Sequence, residues 1–575
     1  MIRLVVVVMF LATALVVSAT AGQTVTITLM SVADIHGTVL NWNYMGGAEY
    51  SGSRFSQARG LARISTLVNL IRTVRSDEAT LLFDIGDTIQ GTPLMSYYAL
   101  REPITELDGA IHPVTAAMNV MEYDVMVVGN HEFNYGLDIL DAFEEQLDCP
   151  LLAANVFDAD TGQLYFQPTA MLTVEVEGCD PIKVGVISIT PPGSMTWDAQ
   201  HLTGKVYIEN SIEAVKKYVP ELRAAGADII VAAVHEHGTD IAEQVPGIDV
   251  LFAGHSHALR PEEFVTNVVT GEQVLIAQPG DRARYLSVVD ISLAKESDGQ
   301  WQITDRSSYV LAANDVQPDP AVLEAVADHQ ETVIEYIKTP IGSTEVDLSL
   351  FESAYRDVPG MDLVNYVQAS AVAMGMPGTP YEDLPVLSIG TGIHQDPIIE
   401  PGAISIATIS GMYIFDNTLR GIVLNGAQIK DYLEESATAL NAVSGPGPWT
   451  PEDVGGGGYC YDVVYGLSER ITYDIDLSEP EGERIENLSY GGAPIDPAAE
   501  FVVAINNYRH DGGCGYPHVK AQPDVYPIPN SEIIELIISF FEARETLTYD
   551  PDIFSADWRL TYDGTPIDVV PPSQD

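Results

Sequence analysis

The sequence predicts an α/β fold over its first half and a second α+β domain over the rest, joined by a connecting helix. Three observations carry that reading. Short β-branched apolar runs alternate with amphipathic stretches up to residue 316, the pattern of layered α/β architecture. A helical pattern bracketed by Asp-Pro and Thr-Pro occupies 319–338. Beyond residue 340, helical segments mix with hairpin-like strands. At 575 residues the chain is also too long for a single core.

Taken in order, residues 1–21 read as an export signal. Arg3 precedes an apolar run over 4–17, and Ala19-Thr20-Ala21 supplies the small-residue cleavage pattern. The run is short for a bilayer span. Cleavage after Ala21 leaves Gly22 first; an uncleaved anchor is the alternative. No second apolar segment has spanning length, and the terminal Pro-Pro-Ser-Gln-Asp carries no anchor signal. The expectation is an exported protein, periplasmic or extracellular, with no stable membrane insertion.

Residues 24–316 form the first unit, with strands expected at 25–32, 79–83, 125–128, 182–189, 229–234 and 250–253. Helices are expected at 61–74 and 211–225. Over the linker 317–339, Asp319 suits an N-cap and Pro320 the first helical position. The second domain, 340–548, includes a helix at 426–439 and strands between 465 and 505. Four glycines at 455–458 lack the Gly-Lys-Ser/Thr ending of a phosphate-cradling loop and read as a mobile loop. The Asp/Pro-rich 549–575 reads as a peripheral tail.

Lys+Arg 27 against Asp+Glu 82 gives a net charge of −55. A field of that sign repels nucleic-acid polymers and argues against a large phosphate-tracking groove. It leaves room for a small phosphate substrate, because bound divalent cations invert the local sign. The excess acid reads as a solvated surface. Four cysteines suit an oxidising compartment, and proximity with the domain division favours Cys149–Cys179 and Cys460–Cys514 pairs. None has the spacing of a zinc-thiolate site.

The chemistry collects just past the carboxyl ends of the apolar runs. The run 25–32 leads to Asp34 and His36, and 79–83 leads to Gly86-Asp87. The next, 125–128, leads to Gly129-Asn130-His131-Glu132; 229–234 ends at His235; 250–253 ends at Gly254-His255-Ser256-His257. Ligands in layered α/β folds bind outside those strand ends. Imidazole mixed with carboxylate and amide oxygen suits two borderline divalent cations, Mn, Zn, Fe or Co, rather than calcium. A two-metal site needs a shared ligand, and Asp87, after a glycine that permits close backbone approach, is placed as the bridge. His131 is left over to protonate a leaving alkoxide or stabilise the transition state. His237 is the alternative to His235 for the fourth run, and His235 is preferred because it ends the strand directly.

These residues resemble the calcineurin-like metallophosphoesterases, and with the second half the chain is similar to the 5'-nucleotidase family over residues 24–545. The strings GNHEFNYGLD (129–138), GDTIQGTPL (86–94), MYIFDNTLRGIVLNGAQIKDYLEESA (412–437) and NNYRHDGGCGYP (506–517) look like its 2',3'-cyclic-nucleotide 2'-phosphodiesterase/3'-nucleotidase branch. Asn134 agrees, since 5'-nucleotidases carry Asp there to support the catalytic His. The resemblance implies a four-layer α/β/β/α sandwich. It implies Asp34, His36, Asp87 and His257 around one metal, and Asp87, Asn130, His235 and His255 around the other. It also makes His131 and Asn134 catalytic, and it places Phe415 and Tyr508 as base-stacking rings, with Asn417 and Arg509 beside them to bind substrate. Two departures weigh against a pure 5'-monophosphate substrate. The family's Asn-Gly-Gly-Gly-Ile-Arg loop stands here as Ile389-Gly390-Thr391-Gly392-Ile393-His394, and Cys514 replaces a ribose-binding Asp. The implied function is an exported two-metal hydrolase of 2',3'-cyclic nucleotides and 3'-nucleotides, yielding nucleoside and phosphate. A 5'-nucleotidase/UDP-sugar hydrolase is the alternative, and a non-catalytic exported nucleotide-binding protein the alternative of another class.

Overall fold

The computed structural model describes residues 24–52, 57–75, 79–107, 109–391, 398–413, 415, 417–455, 460–520, 522–528 and 531–570. The export-signal reading at 1–21, residues 456–458 of the glycine run and positions 392–394 of the altered substrate loop lie outside them.

Two six-stranded sheets build the first unit. One runs in the order Trp301–Ala312, Tyr285–Lys295, Thr24–Val32, Thr80–Asp84, Val125–Val127, Leu151–Leu152. The other runs Leu259–Thr266, Gln273–Pro279, Val250–Ala253, Ile229–Val234, Ile182–Ile189, Thr169–Val174. Strand alternation decides how they stack. Ile229, Val231 and Ala233 face a core shared with Ile27, Leu29 and Phe83 of the first sheet, and the Phe83 and Phe252 rings meet there at 5.6 Å. Ile230, Ala232 and Val234 face the opposite way, onto the helix Ser211–Ala224. Met30 and Val32 likewise turn from the shared core to the helix Leu61–Arg75. Helices therefore cover both outer faces, and the four-layer α/β/β/α sandwich stands as expected.

Asp319 caps its helix by accepting from the Ala321 N–H at 2.9 Å, with Pro320 in the first turn. The connecting segment is nevertheless two helices, Pro320–Ala325 and Ala327–Ile337, because Val326 leaves helical geometry at φ −113°, ψ 6°. A four-stranded and a five-stranded sheet follow.

Two expectations are corrected. The tail is not peripheral: Trp558–Tyr562 pairs in parallel with Ile471–Asp476 inside the five-stranded sheet, and Ile553, Phe554, Trp558 and Leu560 are buried. Its Asp and Pro residues hid the short alternating strand. Of the two cysteine pairs, Cys460–Cys514 is a disulfide, whereas Cys149 and Cys179 are free. Cys149 packs in the core beneath the helices, and Cys179 packs against the core between the sheets, so the first sheet's layers separate them.

Candidate metal centre

Five strands deliver the predicted side chains to one edge. Two groups emerge with donor atoms mutually within 4.8 Å: Asp34, His36 and His257, and Asp87, His235 and His255. Asp87 Oδ2 lies 2.9 Å from His235 Nε2, which is in turn 3.8 Å from Asp34 Oδ1, so the two groups adjoin. His36 Nε2 and His257 Nε2 face each other at 3.0 Å. His237, the sequence alternative, is exposed and bonds to Thr239 at 2.9 Å instead.

The backbone is bent to present these groups. Asp34, His36, Asp87, His255 and His257 all have φ between 48° and 67°, a region that side-chain-bearing residues seldom occupy. Strain on this scale, at about 1–3 kcal/mol per residue, persists where the surroundings over-determine it, and such positions cluster at functional sites. Gly86 has φ 86°, and a Cβ there would stand 2.6 Å from the Gly129 nitrogen and 3.0 Å from His235 Nδ1. A Cβ on Gly129 would sit 2.4 Å from Asp87 Oδ1. The glycines thus let three loops converge.

Hydrogen bonds hold each donor in register. His235 Nδ1 bonds to the Ile85 carbonyl at 2.6 Å, which makes Nδ1 the donor and turns Nε2 toward Asp87. The His255 N–H donates to Asp34 Oδ1 at 2.9 Å, and the His131 N–H to Asp87 Oδ1 at 2.8 Å. Asn130 lies between the latter donor and the Gly129 N–H, which donates to Glu132. Asp34 Oδ2, Asn130 Oδ1 and His235 Nε2 are buried without any hydrogen-bond partner. Orphaned atoms of this kind are costly unless something else satisfies them. Three such atoms in one pocket of carboxylate, amide and imidazole fit divalent cations well.

Electrostatics divide the donors. Burial raises the Asp34 carboxyl well above its usual value, against the pull of His235 and with Asp87 adding to it. Burial would also raise Asp87, yet the His235 and His131 charges take it well below. Burial lowers His36 well below the imidazole norm and His255 to about 4. Burial would lower His235 too, yet the Asp87 and Asp34 carboxylates hold it up at about 10, so His235 and Asp34 must give up protons as cations bind, while His36 and His255 are already neutral.

His131 stands apart from the two groups, its Nε2 4.0 Å from Asp87 Oδ2. It opens the 3₁₀ turn His131–Phe133, which Asn134 closes. Side chains three apart eclipse in that geometry, and His131 Nδ1 meets Asn134 Oδ1 at 2.6 Å.

Sequence reasoning missed several supports. Glu132 accepts from the Asp87, Thr88 and Gly129 N–H groups at 2.8, 2.6 and 2.7 Å, and its place after Gly-Asn-His was the available signal. The Trp197 ring stacks on His255 with centroids 5.2 Å apart. Asp198 receives Asn134 Nδ2, and Asp281 lies 3.7 Å from His257 Nδ1; neither had a local sequence signal.

On the second domain, the segments carrying Phe415 and Tyr508 lie side by side. The Thr418 N–H donates to Asn507 Oδ1 at 2.9 Å, and the Asn507 N–H to the Thr418 carbonyl at 2.8 Å. Phe415 and Tyr508 are half-buried, and Tyr508 packs over Gly513 so closely that a Cβ there would meet the ring at 2.4 Å. Asn417 Nδ2 donates to the Tyr413 hydroxyl at 3.3 Å. Arg509 corrects the expectation of substrate contact. It is buried, with Nε and Nη2 donating to Asp462 at 2.7 and 3.0 Å and Nη1 3.5 Å from the disulfide sulfur of Cys514. Its guanidinium holds the loop together.

Comparison with known proteins places this geometry among its relatives. Residues 27–259 match the family model of the calcineurin-like phosphoesterases, and residues 340–521 match that of the 5'-nucleotidase C-terminal domain. The 2',3'-cyclic-nucleotide 2'-phosphodiesterase/3'-nucleotidase of Yersinia enterocolitica is 32% identical over 95% of this chain and 90% of its own length. The trifunctional nucleotide phosphoesterase of Bacillus subtilis is 31% identical over 88% of this chain, which spans only 37% of that larger protein. The crystal structure of a 5'-nucleotidase precursor from Thermus thermophilus shares the fold, with a TM-score of 0.63 at 21% identity over 93% of this chain and 99% of that one. Among the described residues, no helix is long and apolar enough to cross a membrane.

Proposed function

The chain belongs to the calcineurin-like phosphoesterases that carry a 5'-nucleotidase C-terminal domain and is a metal-dependent phosphoric ester hydrolase, and from that premise we propose that it hydrolyses 2',3'-cyclic nucleotides and 3'-nucleotides to nucleoside and phosphate. The observation that carries the substrate choice is Asn134 at His131 Nδ1, where the 5'-nucleotidase pattern has a carboxylate. Full-length likeness to relatives named for that activity supports it.

Calcineurin-like phosphoesterases use divalent metals, and the donors of this chain fit a pair drawn from Mn, Zn, Fe or Co. Asp34, His36 and His257 would hold one and Asn130, His235 and His255 the other, with Asp87 shared between them. When bound, such a pair supplies Lewis-acid stabilisation of phosphoryl charge and activates water near neutral pH. The residues of the chain do the rest. His131, anchored through Nδ1, keeps Nε2 toward the centre to protonate the departing ribose oxygen. In the first hydrolysis the P–O2' bond breaks, water oxygen joins phosphorus and a proton reaches O2'; in the second, the P–O3' bond breaks likewise. Phe415 and Tyr508 would sandwich the base, at about 1–3 kcal/mol per stacked base and without strong preference among bases. Asn417 would add a polar contact at the edge of that sandwich. The apolar run behind Arg3 supports export to the periplasm or beyond.

Turnover of 2',3'-cAMP, 3'-AMP and 5'-AMP by the purified, metal-loaded protein tests the assignment. Good turnover of the first two is expected; 5'-AMP as the sole good substrate would reassign the protein as a 5'-nucleotidase.

A further inference from the structure

Asn134 presents a problem of direction. An amide has an oxygen at one corner and an NH2 at the other, and rotating it by half a turn exchanges an acceptor for a donor. A carboxylate in the same place would accept from His131 Nδ1 in either orientation. Where the amide replaces the carboxylate, something else must fix which corner faces the imidazole.

The structure supplies that group from a distant loop. Asn134 Nδ2 donates to Asp198 Oδ1 at 2.6 Å, while Asn134 Oδ1 faces His131 Nδ1 at 2.6 Å. Asp198 is buried, and its other oxygen has no hydrogen-bond partner. The loop that brings it is itself pinned on two sides. Trp197 stacks on His255, and a Cβ on Gly193 would meet that indole at 2.5 Å. Gln200 Oε1 accepts from Thr418 Oγ1 at 2.7 Å and from Arg420 Nη2 at 2.8 Å, both in the second domain.

We propose that Asp198 is a positioning residue for the reaction: as an acceptor it holds the Asn134 amide with its oxygen toward His131, so that Nδ1 carries a hydrogen and Nε2 is the atom that exchanges a proton with substrate. The opposite amide orientation would put an NH2 group against Nδ1 and force the hydrogen onto Nε2. Asp198 acts through Asn134 and does not touch the reacting atoms. The inference rests on His131 acting as the acid, and it holds whether the substrate is a 2',3'-cyclic or a 5'-phosphate. The substrate panel above can therefore fail without touching it.

The test is a reciprocal exchange. Asp198→Asn puts an amide, which can face Asn134 with either corner, in place of the accepting carboxylate and should lower kcat by about 10–100-fold with KM little changed, the scale seen for partners behind a working side chain. Asn134→Asp alone sets two carboxylates against each other and should also impair kcat. The double variant Asn134→Asp/Asp198→Asn restores a one-acceptor, one-donor pair in reverse and should recover about tenfold over Asp198→Asn, a coupling within the range of contacting side chains. A merely structural role for Asp198 predicts no such rescue. Asp198→Asn with kcat within about twofold of wild type, or a double variant no better than the worse single one, would overturn the proposal. If a variant does not fold, ¹⁵N NMR of His131 in the unmodified zinc-loaded protein decides: hydrogen on Nδ1 is expected, and an unprotonated Nδ1 with hydrogen on Nε2 refutes it.

Discussion

Asp87 Oδ2 and His235 Nε2 meet at 2.9 Å, and both side chains are shut off from solvent. They come from strands in different sheets, Thr80–Asp84 and Ile229–Val234, so this pair is where the two halves of the sandwich close on the centre.

Asp87→Asn removes the carboxylate that accepts the His131 N–H and faces His235, leaving the volume unchanged. Turnover should fall by at least about a hundredfold and metal content should drop, since both shared ligation and the His131 anchor depend on it. Steady-state kinetics with elemental analysis reads both; near-normal activity would remove Asp87 from its shared role.

Gln200→Ala deletes the oxygen that Thr418 and Arg420 share across the domain boundary. The charge-assisted Arg420 bond is worth about 1.5–3 kcal/mol, partly recovered through Arg420's partner Asp524, and the neutral Thr418 bond about 0.5–1.5 kcal/mol. KM should rise several-fold, by mispositioning the second domain's rings, while Tm changes little. An unchanged KM would mean that docking does not depend on Gln200.

The Cys460–Cys514 bond closes a 54-residue separation beside buried Arg509. Replacing both cysteines with serine should cost about 2–4 kcal/mol of stability, mainly by freeing the unfolded chain, and leave metal content intact. Alkylation of the denatured, unreduced protein should label two thiols, Cys149 and Cys179, by mass spectrometry. Four labelled thiols would contradict the bond.

Acid stability should report His112. Its ring is buried against Phe143 with Nδ1 unpaired, and burial pushes it down to about 3. The unfolded chain takes up this proton near pH 6.5, the folded one not until about pH 3. In that window the unfolded state binds more protons, so stability falls as pH falls, by up to about 1.4 kcal/mol per pH unit. His112→Leu should flatten the decline of Tm between pH 6 and about 4 relative to wild type; parallel curves would contradict the assignment.

Much of this was legible because strand ends announce themselves. Ile182–Ile189, Ile229–Val234 and Val250–Ala253 have the limits read from their apolar runs, and Asp34, His36, Asp87, Asn130, His235, His255 and His257 follow such runs directly. What escaped depends on contacts between distant positions. Asp198 matters only because the loop after Ile189 folds under Asn134, and no local pattern records that. Arg509 looked available for substrate because its pairing with Asp462 spans 47 residues. The strand Trp558–Tyr562 was lost among aspartates and prolines, and the break at Val326 interrupts a run whose periodicity continues across it.

The most direct measurement is a crystal structure of manganese-soaked protein with anomalous scattering. Two peaks about 3.5–4 Å apart are expected, one against Asp34, His36 and His257, the other against Asn130, His235 and His255, with the Asp87 carboxylate touching both. A single peak, or two peaks with Asp87 bound to neither or to only one, would contradict the account.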